Sequence, residues 1–75
     1  MRKIVNGLVY DTDKSDLIHT DYVKNRRLYR TKKGRFFMLY STGDIMPKTE
    51  EAARDYLAEH DVDKYMELFG EVGEA

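Results

Sequence analysis

The fold is decided by one stretch of the sequence, Leu28-Tyr29-Arg30-Thr31-Lys32-Lys33-Gly34-Arg35-Phe36-Phe37-Met38-Leu39-Tyr40. It predicts an antiparallel hairpin whose strands are residues 28–32 and 35–40, with Lys33-Gly34 as a two-residue turn. In that register Tyr29 faces Met38, and Leu28 faces Leu39. This is the clearest hairpin pattern in the chain.

The second strand of this hairpin is apolar on both faces. Phe36, Met38 and Tyr40 point to one side, and Phe37 and Leu39 point to the other. A strand of this kind lies in the middle of a sheet or is covered on both sides. We therefore place it centrally, and we expect one of its two faces to receive the helices.

The residues before this hairpin predict further strands. Lys3-Ile4-Val5 and Leu8-Val9-Tyr10 flank Asn6-Gly7, which suits the positive φ angles of a type I′ turn. Residues 11–16 have the composition of a turn. Residues 17–23 fit either an edge-like strand or one helical turn, because seven residues are too few to separate the two by period.

Two helices are predicted after the strands. Residues 41–48, which contain the single proline, Pro47, predict a connector. Thr49 is the expected N-cap of the first helix, and Asp61 is the expected cap of the second. Gly70 is expected to end the second helix, and residues 71–75 to form a frayed tail. The two apolar stripes are Ala53, Tyr56, Leu57 and His60, then Val62, Tyr65, Met66 and Phe69.

These elements predict the α+β class. Residues 1–75 are expected to form a single domain, with an antiparallel sheet of four or five strands and two short C-terminal helices packed on one face. Residues 1–41 are mainly β, and residues 42–75 hold the connector and the helices.

Composition excludes several classes of function. The chain has no cysteine, and so no disulfide, no thiol nucleophile and no zinc–thiolate site. No apolar run approaches the roughly 20 residues of a membrane span. Polar residues come too early at the N-terminus for a signal peptide. We therefore expect no membrane-spanning segment and no membrane partner.

The net charge of −1 hides a division along the chain. Residues 1–41 carry a charge of +6, residues 42–75 carry −7, and residues 24–35 hold seven basic side chains and no acid. A division of this kind indicates an interaction surface, or else attraction between the two halves of the fold.

The helices carry acidic residues at i, i+4 spacing. Each like-charge pair costs about 0.2–0.5 kcal/mol, and successive members lie roughly 6 Å apart along the helix axis. Such stripes can oppose a row of Lys and Arg on a partner, as in a groove built for nucleic acid, or they can be solvated helical faces. The predicted partner-binding residues are Glu51, Asp55, Glu59, Asp63, Glu67 and Glu71.

The basic hairpin 24–35 predicts the alternative contact surface. A two-stranded ribbon fits a major groove, and its cations can neutralise phosphates. Tyr29, Phe37 and Tyr40 add stacking surfaces for unpaired bases. Alternatively, the cations protect a sheet edge from aggregation. The candidate nucleic-acid-binding residues are Arg26, Arg27, Arg30, Lys32, Lys33 and Arg35.

The residues do not predict an enzyme. His19 and His60 are each followed closely by an aspartate, but neither Ser15 nor Ser41 lies in a recognisable nucleophile turn. The cluster at His60 lacks metal-ligand spacing, and no glycine-rich phosphate loop is present. We predict no catalytic residue, no metal, no cofactor and no small-molecule substrate.

Three stretches carry a resemblance to known proteins. They are Lys-Ile-x-Asn-Gly-x-x-Tyr-Asp-Thr-Asp over 3–13, Leu-Tyr-Arg-Thr-Lys-Lys-Gly-x-Phe-Phe over 28–37, and Thr-Glu-Glu-Ala-Ala-Arg-x-Tyr-Leu…Tyr-x-Glu-Leu-Phe-Gly over 49–70. Together they resemble a group of small accessory proteins of bacterial phages, plasmids and integrative elements. Other members often have Gly-x-Gly-Gly where this chain has Ser41-Thr42-Gly43-Asp44.

The resemblance implies a cellular context and no site residues. It implies a cytoplasmic accessory protein of a mobile element in a bacterial host, a setting in which small proteins often disable host defence complexes. The leading hypothesis is therefore a non-enzymatic binding protein that inhibits a host protein or nucleoprotein complex, such as a CRISPR effector. The alternative is a small nucleic-acid-binding regulator that uses the basic hairpin 24–35. The oligomeric state is left open.

Overall fold

Six strands and two helices are present in the computed structural model, which describes residues 1–70 and residue 73. The predicted α+β class is confirmed. The frayed tail expected over 71–75 lies outside the described residues, except for residue 73. The elements are β1 (Arg2–Val5), β2 (Leu8–Asp11), β3 (Asp16–Asp21), β4 (Arg26–Arg30), β5 (Phe36–Tyr40), β6 (Ile45–Lys48), α1 (Glu50–His60) and α2 (Val62–Phe69).

The strands form two antiparallel sheets. β1 and β2 make a two-stranded hairpin, and the other four strands lie in the order β3-β4-β5-β6. The central position predicted for β5 is confirmed, since it pairs with β4 and with β6. The ambiguous segment 17–23 is mostly strand, because β3 reaches Asp21 before the chain turns. The predicted antiparallel sheet of four strands is confirmed, and β1 and β2 form a separate two-stranded hairpin beside it.

The two-residue turn predicted at Lys33-Gly34 is wrong. Tyr29 pairs with Phe37, one position away from the predicted register. The loop has three residues, because Thr31 and Arg35 still pair through a backbone hydrogen bond of 2.7 Å. A type I′ turn needs positive φ at both central residues, and here only Gly34, at φ 87°, supplies one. The backbone N–H of Gly34 donates to the Thr31 carbonyl, as in a type I turn followed by a glycine bulge.

The connector predicted over 41–48 is also partly wrong, because its second half is strand β6. Met46 pairs with Met38, and Pro47 pairs with Phe37. A proline cannot donate to the ladder, so it is tolerated only on an edge strand, and β6 is such an edge. Gly43, at φ 89°, closes the turn that joins β5 to β6.

The helices pack on the face of the sheet that carries Phe36 and Met38. Ala53 and Leu57 of α1 are buried against these side chains and against Leu28 of β4. His60, predicted on the same stripe, is exposed. In α2 no described residue is fully buried, and its contribution to this core comes from Tyr65, Leu68 and Phe69.

The opposite face of the sheet is covered by the β1–β2 hairpin. Tyr10 of β2 packs edge-on against Phe37, with ring centroids 5.3 Å apart. Tyr29 stacks on the same ring at 5.2 Å, and Ile45 completes this second core. β5 is therefore apolar on both faces because one face meets helices and the other meets a hairpin.

Neither α1 nor α2 has the length and the apolar composition that a membrane-spanning helix needs, and these are the helices of the described residues.

Candidate protein-binding surface

The acidic residues of α1 lie on its solvent face. Thr49 caps this helix, since its hydroxyl accepts from the backbone N–H of Ala52 at 3.0 Å. Glu51, Asp55 and Glu59 are all exposed, and none of them forms an ion pair with a described residue. These three carboxylates, which we name the α1 acidic row, remain free to meet cations on a partner.

The acidic residues predicted on α2 are placed differently. Asp63 is exposed, and Glu67 accepts a 2.6 Å hydrogen bond from the Lys64 ammonium. This contact raises the pKa of Lys64. Glu71 lies outside the described residues. In the second predicted stripe, the carboxylate of Glu67 is therefore already bonded to a side chain of its own helix.

The six candidate nucleic-acid-binding residues are not gathered into one continuous face. Arg26 and Arg30 lie on the helix side of β4, and their guanidinium groups sit over the rings of Tyr56 and Phe36 at 5.1 and 5.6 Å. Arg27 is exposed on the adjacent position of the strand.

The other three cations belong to the β4–β5 loop. Lys32 pairs with Asp16 at 3.2 Å, and both side chains are well exposed. Lys33 and Arg35 are exposed and form no ion pair with a described residue. The loop group lies beyond the end of β4, which is about 13 Å from the start of that strand at roughly 3.3 Å per residue.

A β-bulge organises the polar side chains of β3. The pairing register shifts between Leu17 and His19, so that Ile18 is the extra residue. Ile18 is buried in the helix-side core, yet His19 also reaches the helices, because a bulge lets consecutive residues face the same side. Asp21, two positions beyond His19, then lies on the helix side as well.

The side chain of Asp21 stabilises the β3–β4 turn through hydrogen bonds. Its carboxylate accepts from the backbone N–H of Lys24 at 3.0 Å, and from the Tyr56 hydroxyl and Arg26 Nε at 3.1 Å each. The Lys24 backbone hydrogen bond and these two side-chain donors lower the pKa of Asp21 to about 2. Burial and the bond to Asp21 raise the pKa of Tyr56. We name this group, Asp21 with Arg26 and Tyr56, the turn clamp.

The clamped turn exposes two large apolar side chains. Tyr22 is 88% exposed and Val23 is 91% exposed. Asn25 completes the turn with φ at 52°, a conformation that asparagine tolerates better than most residues. We name residues 22–25 the apolar turn. The Asp21 carboxylate holds the backbone of this turn, and the side chains of Tyr22 and Val23 are exposed to solvent.

A second polar contact fixes the junction between the helices. Asp61 ends α1 and caps α2, accepting from the backbone N–H of Lys64 at 3.1 Å. Its other oxygen lies 2.9 Å from His19 Nδ1. Partial burial raises the pKa of Asp61, but the bonds from His19 and Lys64 outweigh it and lower that pKa overall.

The histidine contacts differ from those suggested by the sequence. His19 meets Asp61 of α2, and the His60 ring lies against Tyr56 with centroids 4.5 Å apart. Ser15 donates to the carbonyl of Asp11 at 2.6 Å, within its own turn. Within the described part of the chain, no group of three His, Cys, Asp or Glu residues is placed to hold a metal.

The site residues that sequence reasoning missed are Tyr22, Val23 and the turn clamp. The one available signal was local, because tyrosine and valine are unusual residues for a turn. In comparisons with protein-family models, curated proteins and solved structures, no match was found.

Proposed function

We propose that the protein is a non-enzymatic binding protein that docks on a partner protein through the apolar turn and the α1 acidic row. One observation carries this proposal: Tyr22 and Val23 are almost fully exposed on a turn that the rest of the molecule holds in place. Single exposed apolar residues are common, but two adjacent ones at a rigid tip are typical of an interface anchor.

The fold itself gains nothing from these two side chains. Turns favour Gly, Asn, Asp and Ser, which adopt the required backbone angles or hydrogen-bond their own backbone. Tyr22 and Val23 depart from this residue preference, yet their side chains bury almost no surface area. Where a local rule is broken without a structural gain, function is the usual reason.

The turn clamp supports the same conclusion through pre-organisation. Binding orders side chains and loops at a cost of about 0.5–1.5 kcal/mol for each immobilised side chain. Asp21 fixes the turn through three donors before any partner arrives. Tyrosine is also among the residues that most often dominate binding energy at interfaces.

The α1 acidic row indicates the chemistry of the partner. Tyr56 neighbours Asp55 in the helix and bonds to Asp21, which directly precedes Tyr22. One hydrogen bond therefore joins the residues that adjoin the acidic row and the apolar turn. The matching surface is an apolar pocket bordered by Lys and Arg, and basic borders of this kind are found on proteins that handle nucleic acid.

The resemblance to accessory proteins of mobile elements suggests which partners to test first. A host defence complex in the bacterial cytoplasm, such as a CRISPR effector, combines basic grooves with protein surfaces that an inhibitor can occupy. The alternative function, a nucleic-acid-binding regulator using hairpin 24–35, is supported less. Arg26 is bound to Asp21, and the remaining cations are divided between two ends of β4.

The experiment is affinity capture from bacterial lysates that contain defined defence complexes, followed by titration of the captured complex. Tyr22→Ser with Val23→Ser should weaken binding by roughly 30-fold, because anchor residues contribute about 2 kcal/mol or more. Val62→Ser is the matched control, since Val62 is an exposed valine away from the turn. Equal binding by the double variant and the control would overturn the proposal. Loss of binding on nuclease treatment alone would favour the nucleic-acid regulator.

A further inference from the structure

The edge strands of the two sheets differ in how they are protected. An unpaired edge can pair with another chain, and proteins block it with proline, with charged side chains or with a bulge. β6 contains Pro47, β3 has the bulge described above, and β1 carries Arg2 and Lys3. Among the edge strands of the described residues, β2 alone has no proline, no bulge and no cation.

The backbone of Val9 points out of the free edge of β2. Val5 pairs with Leu8 around the two-residue turn, and Ile4 pairs with Val9. The residues that flank such a turn exchange hydrogen bonds, and bonded and non-bonded pairs alternate along an antiparallel ladder. The N–H and C=O of Val9 therefore face away from β1. Its side chain is 59% exposed, on the face of the hairpin opposite to Tyr10.

This free edge faces a part of the four-stranded sheet that the hairpin leaves uncovered. β1 contacts β6, and β2 lies over the middle of the sheet, where Tyr10 packs on Phe37 beside Tyr29. The next residue in that cross-strand row is Leu17 of β3, which is 50% exposed. A strand added at the edge of β2 would therefore cover Leu17.

Arg27 places a positive charge on the same face of the sheet. Residues two positions apart on a strand share a face, so Arg27 lies on the face of Tyr29, roughly 6.6 Å away along β4. Arg27 is exposed and forms no ion pair with a described residue. Because Leu17 pairs with Tyr29, the apolar and the cationic position have the spacing of residues i and i+2 of a strand.

The direction of the hairpin gives the order in which an added strand meets these positions. Met1 Cε lies close to Gly43 in the β5–β6 turn, so β1 starts at this end of the sheet. β4 starts at the same end, since Arg26 pairs with Tyr40, the last residue of β5. A segment antiparallel to β2 therefore runs in the direction of β4, from Arg27 toward the level of Leu17.

We propose that β2 pairs with an extended segment of a partner protein, which becomes a third strand of the hairpin. The segment runs antiparallel to β2 and places an acidic residue over Arg27 and an apolar residue, two positions later, over Leu17. In this mode of recognition the main-chain bonds supply affinity and alternate side chains supply specificity. The surface includes neither the apolar turn nor the α1 acidic row, so it goes beyond the docking function.

The experiment is an NMR titration of the full chain with the peptide acetyl-Thr-Thr-Glu-Thr-Leu-Thr-Thr-amide. It should shift the backbone amide signals of Val9, Leu17 and Arg27, with a dissociation constant of about 1 mM or tighter. The reversed sequence, in which Leu precedes Glu, should bind more weakly. The proposal is overturned if both peptides bind equally, if neither binds, or if the signals shift at β6 in place of β2.

Two proline variants test the edge itself. Val9→Pro removes an N–H that β1 does not use, so the hairpin should still fold, as the Tyr10 and Phe37 ring signals would show. Peptide binding should fall by about tenfold or more. Ile4→Pro is the matched control, because it removes the equivalent N–H from the edge of β1, and it should leave binding unchanged. Equal effects of the two variants would overturn the proposal.

Arg27→Gln supplies a test that leaves the backbone intact. It should weaken binding of the peptide roughly fivefold but have no effect once Gln replaces Glu in the peptide, as expected for a direct charge pair. Lys33→Gln, which removes an exposed cation from the β4–β5 loop, is the control. Equal losses with both peptides would overturn the proposal. Tyr22→Ser with Val23→Ser should bind the peptide as the parent does, which separates this test from that of the docking function.

Discussion

The two helices are held to the sheet in different ways, although both have amphipathic sequences. α1 buries Ala53 and Leu57 completely, and the hydroxyl of Tyr56 ties it to β3. α2 has no fully buried residue among those described, and its Phe69 is only partly covered. A surface that must keep its shape for a partner is therefore better carried by α1. For this reason the proposed docking surface uses the α1 acidic row and leaves out α2.

The difference between the helices predicts unequal costs for truncating their apolar residues. Leu57→Ala in α1 should lower the free energy of unfolding by about 2–5 kcal/mol, since it leaves a cavity in a close-packed core. That is comparable to the whole stability of many small domains, about 5–15 kcal/mol. Phe69→Ala in α2 should cost less than the roughly 3–5 kcal/mol of a buried phenylalanine, because solvent already reaches the ring.

Circular-dichroism melts and urea titrations of the two variants measure this comparison directly. Ala58→Ser, on the exposed side of α1, serves as the control for changes to the helix itself. If Phe69→Ala proved more destabilising than Leu57→Ala, α2 and not α1 would be the firmly held helix. The choice of α1 as the docking helix would then be unsound.

Acid should loosen both polar links between the helices and β3. The hydrogen bonds that lower the pKa of Asp21 to about 2, and that also lower the pKa of Asp61, favour their charged forms in the folded state. A lowered folded pKa gives stability that is present above the unfolded value, near 3.9, and is lost as pH falls through the folded value. We expect the urea midpoint to be steady near neutral pH and to fall between about pH 4 and pH 2.

Asp21→Asn separates the contribution of Asp21 from that of the other carboxylates. This variant should be less stable than the parent at neutral pH, and its urea midpoint should depend less steeply on pH below about 4. Asp16→Asn is the control, because Asp16 is exposed and, among the described residues, its ion pair is with Lys32 at the surface. Parallel pH profiles for Asp21→Asn and the parent would show that the turn clamp does not contribute to acid stability.

Removing one hydroxyl tests the link between α1 and the apolar turn more finely. Tyr56→Phe keeps the ring under Arg26 and removes only the donor to Asp21. We expect a loss of about 0.5–1.5 kcal/mol in stability, the usual net value of one hydrogen bond. NMR relaxation should show faster backbone motion at Tyr22 and Val23. Unchanged relaxation at these two residues would mean that the Lys24 and Arg26 bonds hold the turn without α1.

Local rules predicted much of the fold from sequence. Asn6 and Gly7 both have positive φ, at 52° and 76°, as the type I′ turn requires. Thr49 and Asp61 cap the two helices through their side chains, and Gly70 ends the second at φ 93°. These features depend on a few neighbouring residues, so the sequence alone was sufficient to identify them.

The features that the sequence did not predict correctly are those for which two local structures suit the same residues about equally well. A two-residue turn and a three-residue loop with a glycine bulge both suit Lys33-Gly34, and the pairing of Thr31 with Arg35 decides between them. Pro47 indicated a break in the chain, yet a strand at the sheet edge accepts it.

The candidate site was the hardest part to predict. No sequence pattern around Ile18 indicates that a bulge at this residue turns His19 and Asp21 toward the helices. The exposure of Glu51, Asp55 and Glu59 could be predicted from their spacing alone, because exposure on a helix face follows the helical period. The turn clamp was not found, since it joins residues 35 positions apart in the chain.

The smallest predicted effect concerns the acidic residue of α2 that is paired within its own helix. Glu67→Ala removes an exposed contact with Lys64, and exposed ion pairs contribute about 0–1 kcal/mol. We expect the melting temperature to change little and partner capture to stay the same, whereas Asp55→Ala in α1 should weaken capture without lowering stability. Glu67 is thus the control for Asp55 in both measurements. If Glu67→Ala reduced capture as much as Asp55→Ala, the docking surface would extend onto α2, and the distinction between the two helices would not hold.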